Sequence, residues 1–290
     1  MKVAGFTFVK NAIKFDYPIL EAIHSILPIC DELIVAVGKS EDETLELVQG
    51  IGNPKIKIIE TLWDESLREG GRVLAEETNK AFQAISADVD WAFYIQGDEV
   101  IHEKYLPVVR QAMQDNLAND SVDGLLFKYL HFFGSYDYVG NSARWYSNEI
   151  RVIRNRKDIY SYKDAQGFRK GDNQKLTVVP IDAYIYHYGW VKDPRTMQAK
   201  QESFNRLWHD DKWMEENILG TEEFDYFKNI DSLAIFKGDH PAVMKPRVER
   251  LNWKFNYDIS FNRTSRKHKL KQLLKRIGWD TSYRNYILKK

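Results

Sequence analysis

Four short apolar runs mark the first hundred residues, and each has the length and composition of a buried β-strand. Segments with apolar residues at helical spacing separate these runs. The alternation of strand and helix predicts a parallel sheet with right-handed crossovers and helices on its faces, which is an α/β fold. The four predicted strands span residues 2–9, 32–37, 55–62 and 91–95, and the three predicted helices span 16–27, 40–48 and 72–85.

The pattern continues over the next hundred residues. A helix is predicted over 104–119, and strands are predicted over 122–133, 149–154 and 176–186. A segment with glycine, serine and tyrosine, residues 134–144, is typical of a loop that covers a cleft.

After residue 190 helical spacing dominates, so we expect two regions: an α/β domain over 1–190 and a helical C-terminal extension over 191–290. The extension includes a strongly basic segment, 263–278, with leucines at helical spacing. Such a helix either lies on an anionic membrane surface or packs its leucines on the domain, and both interpretations stay open.

Polar residues follow the first three predicted strands. Asn11 follows the first strand, Ser40 and Asp42 the second, and Asp64 the third, while Arg72 opens the helix before the fourth. The carboxyl ends of parallel strands meet at one edge of a sheet, where ligands bind in open α/β folds. This arrangement predicts a nucleotide site. The chain lacks GxGxxG after the first strand and lacks GxxxxGK[ST], which disfavours a dinucleotide fold and a P-loop.

The fourth strand ends in the sequence QGDE, which is Gln96, Gly97, Asp98 and Glu99. Carboxylates are hard oxygen ligands suited to Mg²⁺ or Mn²⁺. Glycine allows a backbone or a phosphate to approach closely. The alternative is a polar turn without a ligand. A late strand similarly ends in His187 before a glycine-containing turn, and this side chain is either a ligand to metal or phosphate or a packed histidine.

Composition narrows the classes of protein. The 42 basic and 42 acidic residues give a formal net charge of zero, so no global field favours nucleic acid. The single cysteine, Cys30, excludes an internal disulfide and fits a reducing compartment. No apolar stretch approaches the length of a membrane span, and the first residues do not have the pattern of a signal peptide. We therefore expect a cytoplasmic protein, with a peripheral position on the inner membrane face left open by the basic segment.

Three motifs resemble the family 2 glycosyltransferases of the GT-A fold, a Rossmann-like α/β fold. They are the opening FTFVKNA, the loop GKSEDET after the second strand and QGDE after the fourth. The family's Ser-x-Asp-x-Thr run is present, but glycine or lysine occupies the acidic position before it. Its Asp-x-Asp is present as Gln96-Gly97-Asp98, without the first aspartate. The resemblance covers about residues 1–190.

The resemblance implies transfer of a sugar from a nucleotide-diphosphate sugar to a glycan or lipid-linked acceptor, with inversion, in surface polysaccharide or glycan synthesis. It implies a Mn²⁺ or Mg²⁺ ion held by Asp98, Glu99 and His187, and Asp164 in YKDAQGFR as the catalytic base. The donor would be bound by Asn11, Ser40, Asp42, Asp64, Arg72, Gln96 and Gly97. Two rivals remain: a non-catalytic carbohydrate-binding relative, and a nucleotidyltransferase, although FVKNA is not the Gly-rich basic loop of that class.

Overall fold

The computed structural model describes residues 1–64, 66–67, 69–228, 230–264 and 284–289. Its first part alternates strand and helix as the apolar pattern predicts, and all four predicted strands are present. The elements are β1 (Val3–Val9), α1 (Ile19–Ile26), β2 (Glu32–Gly38), α2 (Thr44–Gln49), β3 (Ile56–Thr61), α3 (Arg72–Gln83) and β4 (Trp91–Tyr94).

The rest of the chain adds more strands than helices. The strands are β5 (Glu99–Ile101), β6 (Gly124–Phe133), β7 (Ser135–Gly140), β8 (Asn148–Arg154), β9 (Ile159–Tyr162), β10 (Gly167–Lys170), β11 (Gln174–Lys175), β12 (Thr177–Trp190), β13 (Leu233–Ile235) and β14 (Ile287–Leu288). The helices are α4 (Leu106–Asp115), α5 (Pro194–Asn205), α6 (Asp211–Asn217) and α7 (Lys245–Glu249).

One large sheet organises the chain, with strand order β13-β7-β6-β8-β4-β1-β2-β3. The strands β4, β1, β2 and β3 are parallel neighbours. The strand β8 is antiparallel to both β4 and β6, so β6 runs in the direction of β4. The long strand β12 pairs in parallel with β6 and, on its other side, antiparallel with β5. The α/β fold with a mostly parallel central sheet flanked by helices is thereby confirmed.

Both faces of the sheet are covered, which is why its central strands are continuous apolar runs. Alternate residues of β2 face opposite sides because side chains alternate along a strand. Leu33 and Val35 pack with α1 and α4 on one face, and Ile34 and Ala36 pack with α3 on the other. This packing on both faces holds β1 to β4 in place, so that their carboxyl ends lie together at one edge of the sheet.

The predicted loop over 134–144 is wrong in part, because β7 occupies residues 135–140 and pairs with β6. The reversal depends on Gly134, which has φ 73°, a conformation that favours glycine. The ring of Phe255 lies 2.6 Å from the position of a Cβ at Gly134. Sequence periodicity did not reveal this packing, since Phe255 is distant along the chain.

The C-terminal region contains the helices expected of it and also returns to the main sheet. Strand β13 pairs with β7, and β14 pairs with β12. The division at residue 190 stays a prediction. Residues 265–278 of the predicted basic helix lie outside the described part of the chain, so its membrane role also stays a prediction. No helix of the described residues is long and apolar enough to cross a membrane.

Candidate functional site

A cavity of about 1050 Å³ opens where β1 to β4 end, at the edge predicted from the polar residues. Residues that follow these strands line the cavity, and the second half of α5 contributes a further part of the lining. The volume suits a small-molecule ligand. Six of the predicted site residues line the cavity: Asn11, Gln96, Gly97, Asp98, Asp164 and His187.

Two predicted donor-binding residues, Ser40 and Asp42, are half-buried in the loop after β2 and do not line the cavity. The backbone N–H of Asn11 donates to Ser40 Oγ at 2.9 Å, and Asn11 Oδ1 accepts from the N–H of Glu41 at 2.8 Å. Asp42 accepts from the N–H of Lys14 at 2.7 Å. These bonds tie the loop after β1 to the loop after β2. The helix predicted over 40–48 begins later than expected, because α2 starts at Thr44.

The other two predicted donor ligands, Asp64 and Arg72, are exposed outside the cavity. Asp64 accepts hydrogen bonds from the N–H and the hydroxyl of Ser66 at 3.0 and 2.6 Å. The residue before it, Trp63, lines the cavity, and its ring centroid lies 5.8 Å from that of Phe8. An aromatic side chain directly after a strand was the available signal for this residue.

Glu99 anchors the turn after β4 from inside the core. Its carboxylate accepts two hydrogen bonds from Arg151, at 2.7 and 2.8 Å, and both side chains have 0% exposure. It also accepts from the hydroxyl of Tyr129 at 2.7 Å and from the N–H of Gln96 at 3.1 Å. Both oxygens are therefore engaged away from the cavity, so Glu99 holds Gln96 to Asp98 in place and is not positioned as a metal ligand.

Asp98 meets two cationic or basic groups at the cavity wall. Its Oδ2 lies 3.1 Å from Lys200 Nζ and 3.7 Å from His187 Nε2. Burial alone would raise the pKa of Asp98, but its basic neighbours, the Lys200 ammonium first, outweigh it and hold that pKa below the usual range. A Cβ at Gly189 would lie 2.6 Å from both Asp98 Oδ2 and His187 Nε2. Glycine is thus required there for the two groups to converge.

A second histidine, His131, sets the proton position on His187. In the parallel register of β6 and β12 these residues are partners, and their Nδ1 atoms lie 3.2 Å apart. His131 Nε2 lies 2.8 Å from the carbonyl oxygen of Tyr146, which only accepts, so His131 donates from Nε2. Burial lowers the pKa of His131 to about 3, so its neutral Nδ1 accepts the proton of His187 Nδ1. In this assignment His187 Nε2 carries no proton, and its lone pair is available to a ligand in the cavity.

Two lysines that sequence reasoning missed stand beside this cluster. Lys200 Nζ donates to the carbonyl of Gly189 at 2.8 Å, and Lys192 Nζ donates to the carbonyl of Asp16 at 2.7 Å. The ring of Tyr17 lies near both ammonium groups, with its centroid 5.1 Å from Lys200 Nζ and 4.8 Å from Lys192 Nζ. Burial first, and then the charge of Lys200, lowers the pKa of Lys192 to about 7.

Asp164 lines the cavity from the turn that joins β9 to β10. Both of its neighbours, Lys163 and Ala165, have positive φ, so the turn is tightly bent. Burial raises the pKa of Asp164, partly offset by backbone N–H groups including that of Gln166. Gln96 Nε2 donates to the carbonyl of Ala165 at 3.2 Å, which links this turn to the one that holds Asp98.

The donor set of Asp98 and His187 fits a divalent cation that shares its coordination with a substrate. Among the described residues no group of three or more His, Cys, Asp or Glu side chains could hold a metal by itself. Mg²⁺ commonly takes one or two protein ligands and completes its shell with substrate phosphates and water. A carboxylate oxygen and a bare imidazole nitrogen that converge on the space left by Gly189 meet that requirement.

No protein-family model and no curated protein matches the chain. Similar solved structures include S. aureus TarS, at 16% identity and a TM-score of 0.44. The match covers 77% of this chain and 41% of that chain. TarS 1–349 in complex with UDP is also similar (15% identity, TM-score 0.43, 77% and 68% covered). So is glucosyl-3-phosphoglycerate synthase from Mycobacterium tuberculosis in complex with Mn²⁺, UDP and phosphoglyceric acid (18% identity, TM-score 0.31, 45% and 43% covered). The match spans less than half the length of the first TarS chain and of the synthase.

Proposed function

We propose that this protein is a glycosyltransferase that moves a sugar from a nucleotide-diphosphate sugar to a carbohydrate or lipid-linked acceptor. The observation that carries the proposal is the convergence of Asp98 and His187 on a large cavity that Asp164 also lines, at the carboxyl ends of parallel strands. This arrangement supplies a place for a leaving diphosphate and a carboxylate for an acceptor within one cavity.

The donor half of the reaction requires stabilisation of a leaving nucleoside diphosphate. A Mn²⁺ or Mg²⁺ ion, held by Asp98 and His187, would supply Lewis-acid stabilisation of that charge. His131 fixes the His187 ring with Nε2 free, and Gly97 leaves room beside Asp98. Asn11 lines the end of the cavity near β1 and is our proposed contact for the nucleoside.

The acceptor half requires removal of a hydroxyl proton as that oxygen attacks the anomeric carbon with inversion. We assign this to Asp164, whose carboxylate accepts the proton. Burial raises its pKa, which makes it a stronger base than an exposed aspartate. Because the base must be deprotonated, transfer should fall as pH drops through that raised pKa.

Asp164→Asn should lower transfer by about 10²-fold or more, since general-base catalysis contributes roughly that factor. Nucleotide affinity should stay nearly unchanged, because Asp164 acts on the acceptor hydroxyl and not on the nucleotide. The measurements are the transfer rate with a competent acceptor and nucleotide affinity by calorimetry. Asp172→Asn, at an exposed position in the turn after β10 and outside the cavity lining, changes the same functional group; it is the control and should behave as wild type. Parallel loss of transfer, nucleotide affinity and melting temperature in Asp164→Asn would instead make this residue a structural part of the turn.

A further inference from the structure

Lys200 directs its ammonium at Asp98, one of the two proposed metal ligands. The Lys200 side chain is 11% exposed, lines the cavity and lies 3.1 Å from Asp98 Oδ2. Its second hydrogen bond, 2.8 Å to the carbonyl of Gly189, holds it beside the space where Asp98 and His187 converge. A cation of the protein itself therefore stands next to the proposed metal position.

The charges around this position do not balance. Glu99 is neutralised by Arg151 within the core, which leaves Asp98 as the carboxylate that faces both Lys200 and, at longer range, Lys192. The hydrogen bond of Lys192 goes to the backbone carbonyl of Asp16, which carries no formal charge. Because the pKa of Lys192 is lowered to about 7, this lysine is partly protonated near that pH. Lys200 and Lys192 together still carry more positive charge than Asp98 offsets, and such an excess favours an anion.

A divalent cation and the Lys200 ammonium compete for the same carboxylate oxygen. Two positive charges about 4 Å apart repel each other strongly at the partly buried wall of a cavity. Lysine has a flexible four-carbon stem, so its ammonium can move while the helix stays in place. The diphosphate of an incoming donor would offer that ammonium a new anionic partner inside the cavity.

We propose that the Lys200 ammonium pairs with Asp98 in the donor-free protein, as a placeholder for the metal ion. It moves to the donor's diphosphate when the metal and the donor bind. This inference rests on the proposed function and extends it to how the site loads. In the absence of donor, the Lys200 ammonium weakens metal binding. When the metal is bound, the same ammonium strengthens binding of the donor's diphosphate. Metal and donor binding are thereby coupled, and each raises the affinity of the other by the same factor.

The test measures two affinities on one variant, Lys200→Met, by calorimetry. The first is for Mn²⁺ alone, and the second is for UDP, GDP, dTDP and ADP in turn, each with saturating Mn²⁺. We expect Mn²⁺ alone to bind about tenfold more tightly, because a competing charge has been removed. We expect the nucleoside diphosphate that wild type binds to lose about tenfold in affinity, since a charge-assisted hydrogen bond is gone. Lys212→Met, an exposed lysine on α6, is the control and should change neither value.

Opposite changes in the two affinities support the placeholder, because a lysine with a merely structural role would weaken both or neither. If wild type binds a nucleoside diphosphate and Lys200→Met leaves both affinities unchanged, or weakens both, the inference about Lys200 is overturned while the proposed function stands. If wild type binds none of the four nucleotides, the proposed function is overturned together with it. Lys200→Gln, which keeps a donor for the Gly189 carbonyl, carries the same expectation and serves if the methionine variant does not fold.

Discussion

Arg151→Met will lower the free energy of unfolding by about 3–5 kcal/mol, the cost of leaving one partner of a buried ion pair without the other. Glu99 would keep only the hydroxyl of Tyr129 and the N–H of Gln96 as hydrogen-bond partners. Both members of the pair have 0% exposure, so water cannot replace the guanidinium. Urea denaturation of the variant and of wild type measures the difference.

An exposed ion pair provides the matched control for this experiment. Lys128 and Asp182 lie 2.7 Å apart, with side chains 42% and 82% exposed. Lys128→Met should therefore change stability by less than about 1 kcal/mol. A loss in Arg151→Met no larger than that of the control would show that Glu99 is solvated or otherwise paired in solution, and its assignment as the anchor of the turn would fail.

Asp98→Asn will lower transfer by about 10²-fold or more, the effect of losing one well-placed electrostatic stabiliser. The amide keeps the shape of the side chain but cannot hold a divalent cation as a carboxylate does, and it leaves Lys200 and Lys192 without their shared counter-charge. The substitution lies at the sheet edge, so the fold should persist, but removing the carboxylate beside the nearly buried Lys200 should lower the melting temperature. Initial transfer rates at saturating donor provide the measurement.

The matched control for Asp98 is Asp115→Asn, at the exposed end of α4 and away from the cavity. It replaces the same functional group and alters the net charge of the protein by the same amount. Wild-type transfer in Asp98→Asn would remove this carboxylate from the reaction. Equal losses in the two variants would point to a general effect of net charge.

The sheet was predictable because its central strands are buried on both faces. A run such as ELIVAV leaves few alternatives to a buried strand, and β2 follows it closely. The alternation with helices then determined the parallel pairing of β1 to β4. From that pairing alone the polar residues Asn11 and Asp98 could be placed at one edge, and both line the cavity.

The missed residues depend on pairings between segments that are distant in sequence. Nothing near Glu99 indicates that Arg151, on β8, neutralises it, so its position next to Asp98 made it resemble a second ligand. His131 sits in a long apolar strand, and its effect on His187 requires the register of β6 with β12. Lys200 lies on a helix whose apolar pattern gives no reason for one lysine to enter the cavity.

The most direct test of glycosyl transfer from a nucleotide sugar is to identify the product released from a panel of UDP-, GDP-, dTDP- and ADP-sugars with Mn²⁺. We predict release of the nucleoside diphosphate from one class of donor, and loss of that release in Asp98→Asn. Release of pyrophosphate from a nucleoside triphosphate and a sugar phosphate, with none from the panel, would instead identify a nucleotidyltransferase. Binding of a nucleotide sugar without any product, in the presence of candidate glycan acceptors, would contradict the proposed catalysis and identify a non-catalytic binding protein.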